Sequence, residues 1–148
     1  MEIRRAATVA ELLAAGHLYD DPPREDWAAR FLAAPGHLML IAYADDGDGE
    51  GPAGGFPVGF VSGIEMLHPD KGAEMCLYEL SVDEGHRRRG VGRALTEALL
   101  AAAEERGCRG AWVGVDTDND PALATYRAAG AMDEGVFTMR GWNLPGGG

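Results

Sequence analysis

Lysine is almost missing from this 148-residue chain: of 13 basic residues only Lys71 is a lysine, and the 24 acidic residues outnumber them to leave a formal charge of -11. Such a field repels phosphate backbones and anionic lipid, which excludes nucleic acid and membrane surfaces as partners unless a local basic patch overrules it. Cationic small molecules are the partners it attracts. Cysteine is equally scarce. Cys76 and Cys108 are the only two, and neither stands in a metal-like spacing with His17, His37, His68 or His86, so no disulfide framework and no metal centre is expected. Free thiols in a reducing compartment fit better. No apolar run approaches a membrane span, and the N-terminal MEIRRAATVAELLAAG lacks the long apolar core of a signal peptide. A cytoplasmic location is the expectation. The length leaves no room for a second core, so residues 1–148 are read as one domain.

The hydrophobic 46% of the chain falls in short periodic runs. Ile3 to Ala6 reads as a strand, and Thr8 has the side chain to cap a helix running to about His17. In DPPREDWAARFLAAPG the residues Trp27, Phe31 and Leu32 share one helix face, and Pro35-Gly36 ends it. HLMLIAYA, PVGFVSGIEM and EMCLYELSV are strands; the stretch from Asp45 to Gly55 is too polar and glycine-rich to pack and is read as a mobile hairpin loop. A helix from about Arg89 to Arg106 carries Leu95, Leu99 and Ala102 on one stripe. A strand at GAWVGVD, a short helix at DPALATYRAAG and a last strand at GVFTMRGW follow, and the glycine tail at 145–148 frays. The last strand, near an open sheet edge, makes a homodimer plausible. The order predicts an α/β fold: a mixed sheet with helices on both faces.

One turn departs from the acidic background. HRRRGVGRAL, residues 86–95, sets three arginines and two glycines at the start of a helix. First-turn amides there point outward unpaired, the helix dipole adds partial positive charge, and glycine lets an anion approach closely. Arg87, Arg88, Arg89 and Arg93 add charge-assisted bonds, so the turn suits a pyrophosphate. A P-loop is excluded because Arg93 and Ala94 follow Gly92, and a dinucleotide fingerprint because position 95 is leucine.

Arg87-Arg88-Arg89-Gly90-Val91-Gly92 satisfies [Q/R]-x-x-G-x-[G/A], and around it LSVDEGHRRRGVGRALTEALL and NDPALATYRAAGA resemble the two central motifs of the GNAT superfamily of N-acetyltransferases. The resemblance is nearly continuous from Leu77 to Ala131 and closest to the aminoglycoside 3-N-acetyltransferase subgroup. It implies a splayed central sheet, acetyl-CoA as donor, and pantetheine bonded to the backbone of Leu80, Ser81 and Val82 like an added strand. It further implies cofactor contacts at Arg87, Arg88, Arg89, Gly90, Val91, Gly92, Arg93, Ala94, Asn119, Ala122 and Tyr126, with Tyr126 as proton donor to the departing thiolate and an oxyanion-stabilising N–H near Leu80. Read without the preceding Asn119, Tyr126 is a core tyrosine on a short helix, packed against the sheet with its hydroxyl satisfied locally; the Asn119 spacing turns the reading to function.

Alternation puts Met75, Leu77, Glu79 and Ser81 on one strand face, so Glu79 follows two apolar side chains toward the gap as a general base; an ion pair with an arginine is the competing role. Asp116, Asp118 and Asp120 make DTDNDP a candidate site for a polyamine, or a merely solvated loop. The expected activity is acetyl transfer to a primary amine of a cationic small molecule, with an aminoglycoside foremost. The other acceptors are a polyamine, an amino acid or a protein N-terminus, and the rival class is a non-catalytic acyl-CoA-binding or antibiotic-sequestering module.

Overall fold

Thr8 starts the first helix by a reciprocal cap: its Oγ1 accepts from the Glu11 amide (3.2 Å) while its hydroxyl donates to the Glu11 carboxylate (3.1 Å). That junction follows strand β1 (Glu2–Arg5) and opens α1 (Val9–Ala14), which tightens into a 3-10 turn at Gly16–Leu18. The chain, seen in a computed structural model that describes residues 1–45 and 55–146, continues through α2 (Glu25–Ala33), β2 (His37–Ala44), β3 (Phe56–His68) and β4 (Gly72–Val82). A second 3-10 turn (Glu84–His86), α3 (Val91–Glu105), β5 (Gly110–Val113) and α4 (Asp120–Ala128) complete it. Most of the expected hairpin loop, residues 46–54, lies outside the described residues, as do positions 147 and 148 of the tail.

The sheet order is β1-β2-β3-β4-β5, antiparallel except for the parallel pair β4 and β5. Two apolar layers hold helices against it, one on each face as expected. Leu95, Leu99 and Ala103 of α3 pack on Leu38, Val61, Met75 and Leu77, with Tyr126 of α4 in the same layer. Leu12, Leu18 and Ala28 cover Met39, Ile41, Tyr43 and Phe60 on the other face. Each fully buried leucine contributes about 1.5–3 kcal/mol.

Three expectations are corrected. The segment GVFTMRGW forms no strand among the described residues; its β-formers lack a ladder partner, and Val136, Phe137, Met139 and Trp142 are exposed. β5 ends at Val113, three residues before the strand read at GAWVGVD. Simple alternation fails in β4: Ser62 faces Glu79 but Gly63 faces Leu77, so Tyr78 is an extra, bulged residue. Met75 and Leu77 lie in the α3 layer, and past the bulge Leu80 and Val82 join it. Glu79 and Ser81 therefore turn to the opposite face, toward α1 and α2.

Candidate active site

The parallel ladder between β4 and β5 runs only from Glu74 paired with Gly110 to Leu77 paired with Val113. Beyond it the strands part, and the β5-side edge of Tyr78 to Val82 has no strand partner among the described residues while the other side stays paired to β3. Leu80, Ser81 and Val82, expected to meet pantetheine, line this open edge and are half-buried. One end of the edge leads to the arginine and glycine turn.

That turn is held by short links. His86 Nδ1 and Asp83 Oδ2 lie 2.9 Å apart, and this hydrogen bond is the main reason the Asp83 carboxyl sits below the usual carboxylate range. Arg88 has φ 63 and Gly90 φ 79, two left-handed residues that turn the chain onto the helix axis. Gly90 caps α3 without a side-chain hydrogen bond, and no atom lies within 4 Å of where its Cβ would stand. The amides of Val91, Gly92 and Arg93 precede the first helical bond, from the Ala94 amide to Gly90 O at 3.0 Å, so the mouth is open and rich in donors.

The arginines divide. Arg87 Nε donates to Val82 O (3.2 Å) and Arg93 Nε to Glu97 (2.7 Å), so both are engaged in the fold. Arg88 and Arg89 are exposed and have no partner among the described residues, which leaves their guanidinium groups for an anion. Gly92 faces α4, where a Cβ would lie 3.4 Å from the Thr125 methyl, and so adds little to the mouth.

At the other end of the edge Glu79 lines a cavity of about 680 Å³ with Tyr19, Asp20, Asp21, Trp27 and Tyr78. Solvent reaches the carboxylate, but desolvation by the cavity walls, with the negative charge of Asp20 second, holds its pKa above the ordinary range. No arginine pairs with it among the described residues. The Glu79 amide donates to Ser62 Oγ (3.2 Å), which fixes the backbone at the bulge. Tyr19 donates to Leu12 O (2.7 Å); burial first, then Glu79 and Tyr43, push its pKa up to about 12. His17, bonded to Pro57 O (2.9 Å) and stacked on Phe56, pins the segment that carries Tyr19 to Asp21 against β3.

Tyr126 is buried on α4 in the α3 layer, its pKa raised by desolvation, and its hydroxyl has no hydrogen-bond partner among the described residues. Asn119 caps α4, its Oδ1 accepting from the Ala122 amide (3.2 Å), so its side chain holds the helix that presents Tyr126. Asp116 and Asp118 are exposed on the turn between β5 and α4 and Asp120 is exposed in the first turn of α4; none of the three lines the cavity with Glu79. Both cysteines are free, and burial raises the Cys76 thiol, which makes it a poor nucleophile. No group of His, Cys, Asp or Glu among the described residues is arranged to hold a metal, and no helix there is long and apolar enough to cross a membrane.

Tyr19, Asp20, Asp21, Trp27 and Tyr78 had no signal of their own in the sequence. Trp27 reads as core-facing by helical spacing, yet it is exposed with Arg24 stacked 4.1 Å over its ring. Asp20 and Asp21 look like solvated acids until α1 and the sheet bring them beside Glu79. The one available hint was DPP, a rigid break just before a helix.

A mixed sheet whose parted strands run from a carboxylate-lined cavity to an open, donor-rich helix mouth defines the acyl-CoA-dependent N-acetyltransferase class. The chain belongs to the acetyltransferase (GNAT) family, whose model matches residues 6–131, and acetyl-CoA is that family's donor. It is 34% identical over 133 residues to the N-alpha-acetyltransferase RimI of Mycobacterium tuberculosis, covering 88% of this chain and 75% of that one. It is also 39% identical over 57 residues, 38% of this chain, to the [ribosomal protein bS18]-alanine N-acetyltransferase of Escherichia coli, of whose length it spans 38%. In fold it is similar to an aminoglycoside acetyltransferase, meta-AAC0020, from an uncultured soil metagenomic sample in complex with sisomicin: TM-score 0.83, 18% identity, 97% of this chain and 96% of that one.

Proposed function

We propose that the protein transfers an acetyl group from acetyl-CoA to a primary amine of a cationic acceptor, with an aminoglycoside acetylated at its 3-N position as the leading candidate. The observation that carries this reading is the unpaired edge of β4, which joins the Glu79 cavity to the mouth of α3. A donor laid along that edge has its diphosphate at Arg88, Arg89 and the first-turn amides, and its thioester beside Glu79. The residues present fit such a molecule: the mouth is sterically open at Gly90, and two of its arginines are uncommitted.

The chain's own groups would act in turn. Asp20, Asp21 and Glu79 hold the acceptor ammonium, and Glu79 takes its proton directly or through a water, leaving a neutral amine. The new C–N bond forms as the thioester C–S bond breaks, while a backbone N–H near Leu80 donates to the carbonyl oxygen as charge develops there. Tyr126 gives its hydroxyl proton to the leaving thiolate. The nitrogen sheds its second proton to solvent as the amide forms, so the net change is ammonium plus acetyl-CoA to acetamide plus CoA and one proton, with Glu79 and Tyr126 restored by solvent. The charge of -11 and the three cavity acids favour an acceptor with several positive charges.

A second reading, an alanine-type protein N-terminus as acceptor, is favoured by the 34% identity to RimI across 88% of the chain. A thiol-release assay with acetyl-CoA against aminoglycosides, spermidine, amino acids and peptides with free N-termini separates the two. Release with aminoglycosides alone supports the leading reading, and NMR of the product reports the position. Release with peptides alone replaces it with the second. Acetyl-CoA binding without release for any amine points to a sequestering module instead.

A further inference from the structure

Gly59 is out of place by local rules. It stands inside β3, where a glycine packs nothing and weakens the strand. Its φ is not positive, so the backbone there does not call for glycine. Space does. A Cβ at Gly59 would lie 3.1 Å from Val91 Cγ1, 3.1 Å from Leu95 Cδ1 and 3.1 Å from Ser81 O. The first two atoms belong to the opening turns of α3, and the third to the β4 edge proposed for the donor. Gly59 pairs with Val82 across the ladder, and the Asp83 amide donates to Val58 O (2.8 Å), so the strand that carries Gly59 also holds the start of the arginine and glycine turn. On the other flank, the place of a Gly92 Cβ is 3.7 Å from both Leu80 Cδ2 and Val82 Cγ2. The mouth of α3 therefore sits directly on β3 and β4, and the missing side chain at Gly59 lets it sit that low.

We infer that Gly59 is a positioning residue for the donor: by leaving no side chain beneath the first turn of α3, it sets the distance between the amides that hold the diphosphate and the β4 edge that holds the pantetheine arm. The inference rests on the donor lying along that edge and is independent of the acceptor. Diphosphate and thioester are parts of one molecule, so mouth and edge must stand in register for both to be held. Carbon atoms in contact settle at about 3.5–4.0 Å, so an added methyl would lift Val91 and Leu95 by roughly half an ångström. Ser81, paired with Phe60 in the ladder, holds its place. Misplacement on the order of 1 Å can cost about 100-fold, and half of that about tenfold.

The test is calorimetric titration of the full chain with two ligands. One is acetyl-CoA; the other is its nucleotide half, an ADP phosphorylated on its ribose, which carries the diphosphate but no pantetheine arm. Gly59→Ala should weaken acetyl-CoA binding about tenfold and binding of the armless fragment less than about twofold, because the mouth itself stays intact. Leu95→Ala removes more packing from the same contact and adds no bulk. It should lower Tm further than Gly59→Ala does, yet leave acetyl-CoA affinity within about twofold of the original. The double variant Arg88→Ala/Arg89→Ala tests the donor's placement separately and should weaken both ligands. Unchanged acetyl-CoA affinity in Gly59→Ala, with the arginine variant weakened, overturns the inference alone. Equal losses for the two ligands in Gly59→Ala overturn it too, as does an affinity that follows Tm across Gly59→Ala and Leu95→Ala. If the arginine variant binds acetyl-CoA as well as the original, or the original binds acetyl-CoA but not the fragment, the donor's placement fails and the inference with it.

Discussion

Replacing Gly90 by alanine separates the backbone role of the α3 mouth from its contacts, because no atom lies within 4 Å of the added methyl. With φ at 79 the alanine must adopt a left-handed conformation, which costs about 1–2 kcal/mol. The stiffer unfolded chain recovers about 0.5 kcal/mol. About 1 kcal/mol of stability should be lost, a fall in Tm of about 2–4 °C for a domain of this size. Gly92→Ala is the control. Its backbone is helical and its methyl would meet Thr125, Leu80 and Val82 at 3.4 to 3.7 Å, ordinary contact distances, so Tm should hold or rise slightly. Calorimetric titration with acetyl-CoA supplies the second readout. The left-handed turn aims the amides of Val91 to Arg93, so Gly90→Ala should weaken binding about tenfold, or about 1.4 kcal/mol, while Gly92→Ala leaves it nearly unchanged. Equal melting and equal affinity in the two variants would refute the claim that the turn at Gly90 shapes the anion site.

Glu79→Gln should lower kcat at least about 100-fold with little change in acetyl-CoA affinity, measured by thiol release and titration. The pH profile carries a sign: Glu79 must be ionised to accept a proton and its pKa is raised, so activity should fall as pH drops through a value above the ordinary carboxylate range. Asp20→Asn removes the neighbouring negative charge, so that acid limb should move to lower pH; a limb that stays put would remove Asp20 from the site's electrostatics. Leu95→Ala, at a fully buried position beneath the sheet, should cost about 2–5 kcal/mol in denaturant unfolding and leave the acetyl-CoA KM near its original value in the protein that remains folded.

The parts of the molecule written in local chemistry were legible in the sequence. Thr8 as a cap and the strand-turn-helix around the arginines each depend on a few adjacent residues, and each holds. What escaped depends on partners distant in the chain. Alternation along β4 assumes an unbroken ladder, and the extra residue at Tyr78 becomes visible only against β3. The cavity acids Asp20 and Asp21 meet Glu79 across about 60 positions of sequence, a distance no motif spans. The last segment has the composition of a strand, but composition supplies a tendency and a ladder supplies the strand.

The bulge at Tyr78 means that β4 serves two masters with one backbone: Met75 and Leu77 belong to the layer beneath α3, while Glu79 belongs to the opposite side of the sheet. Removing Tyr78 outright would take away only the extra residue: Leu77 and Glu79 would become neighbours in a regular ladder, the carboxylate would keep its place in the cavity, and Leu80 would stay under α3. Straightening the strand with Tyr78 still in it is the harsher change, because strict two-residue rhythm would then carry the carboxylate under α3 among leucines.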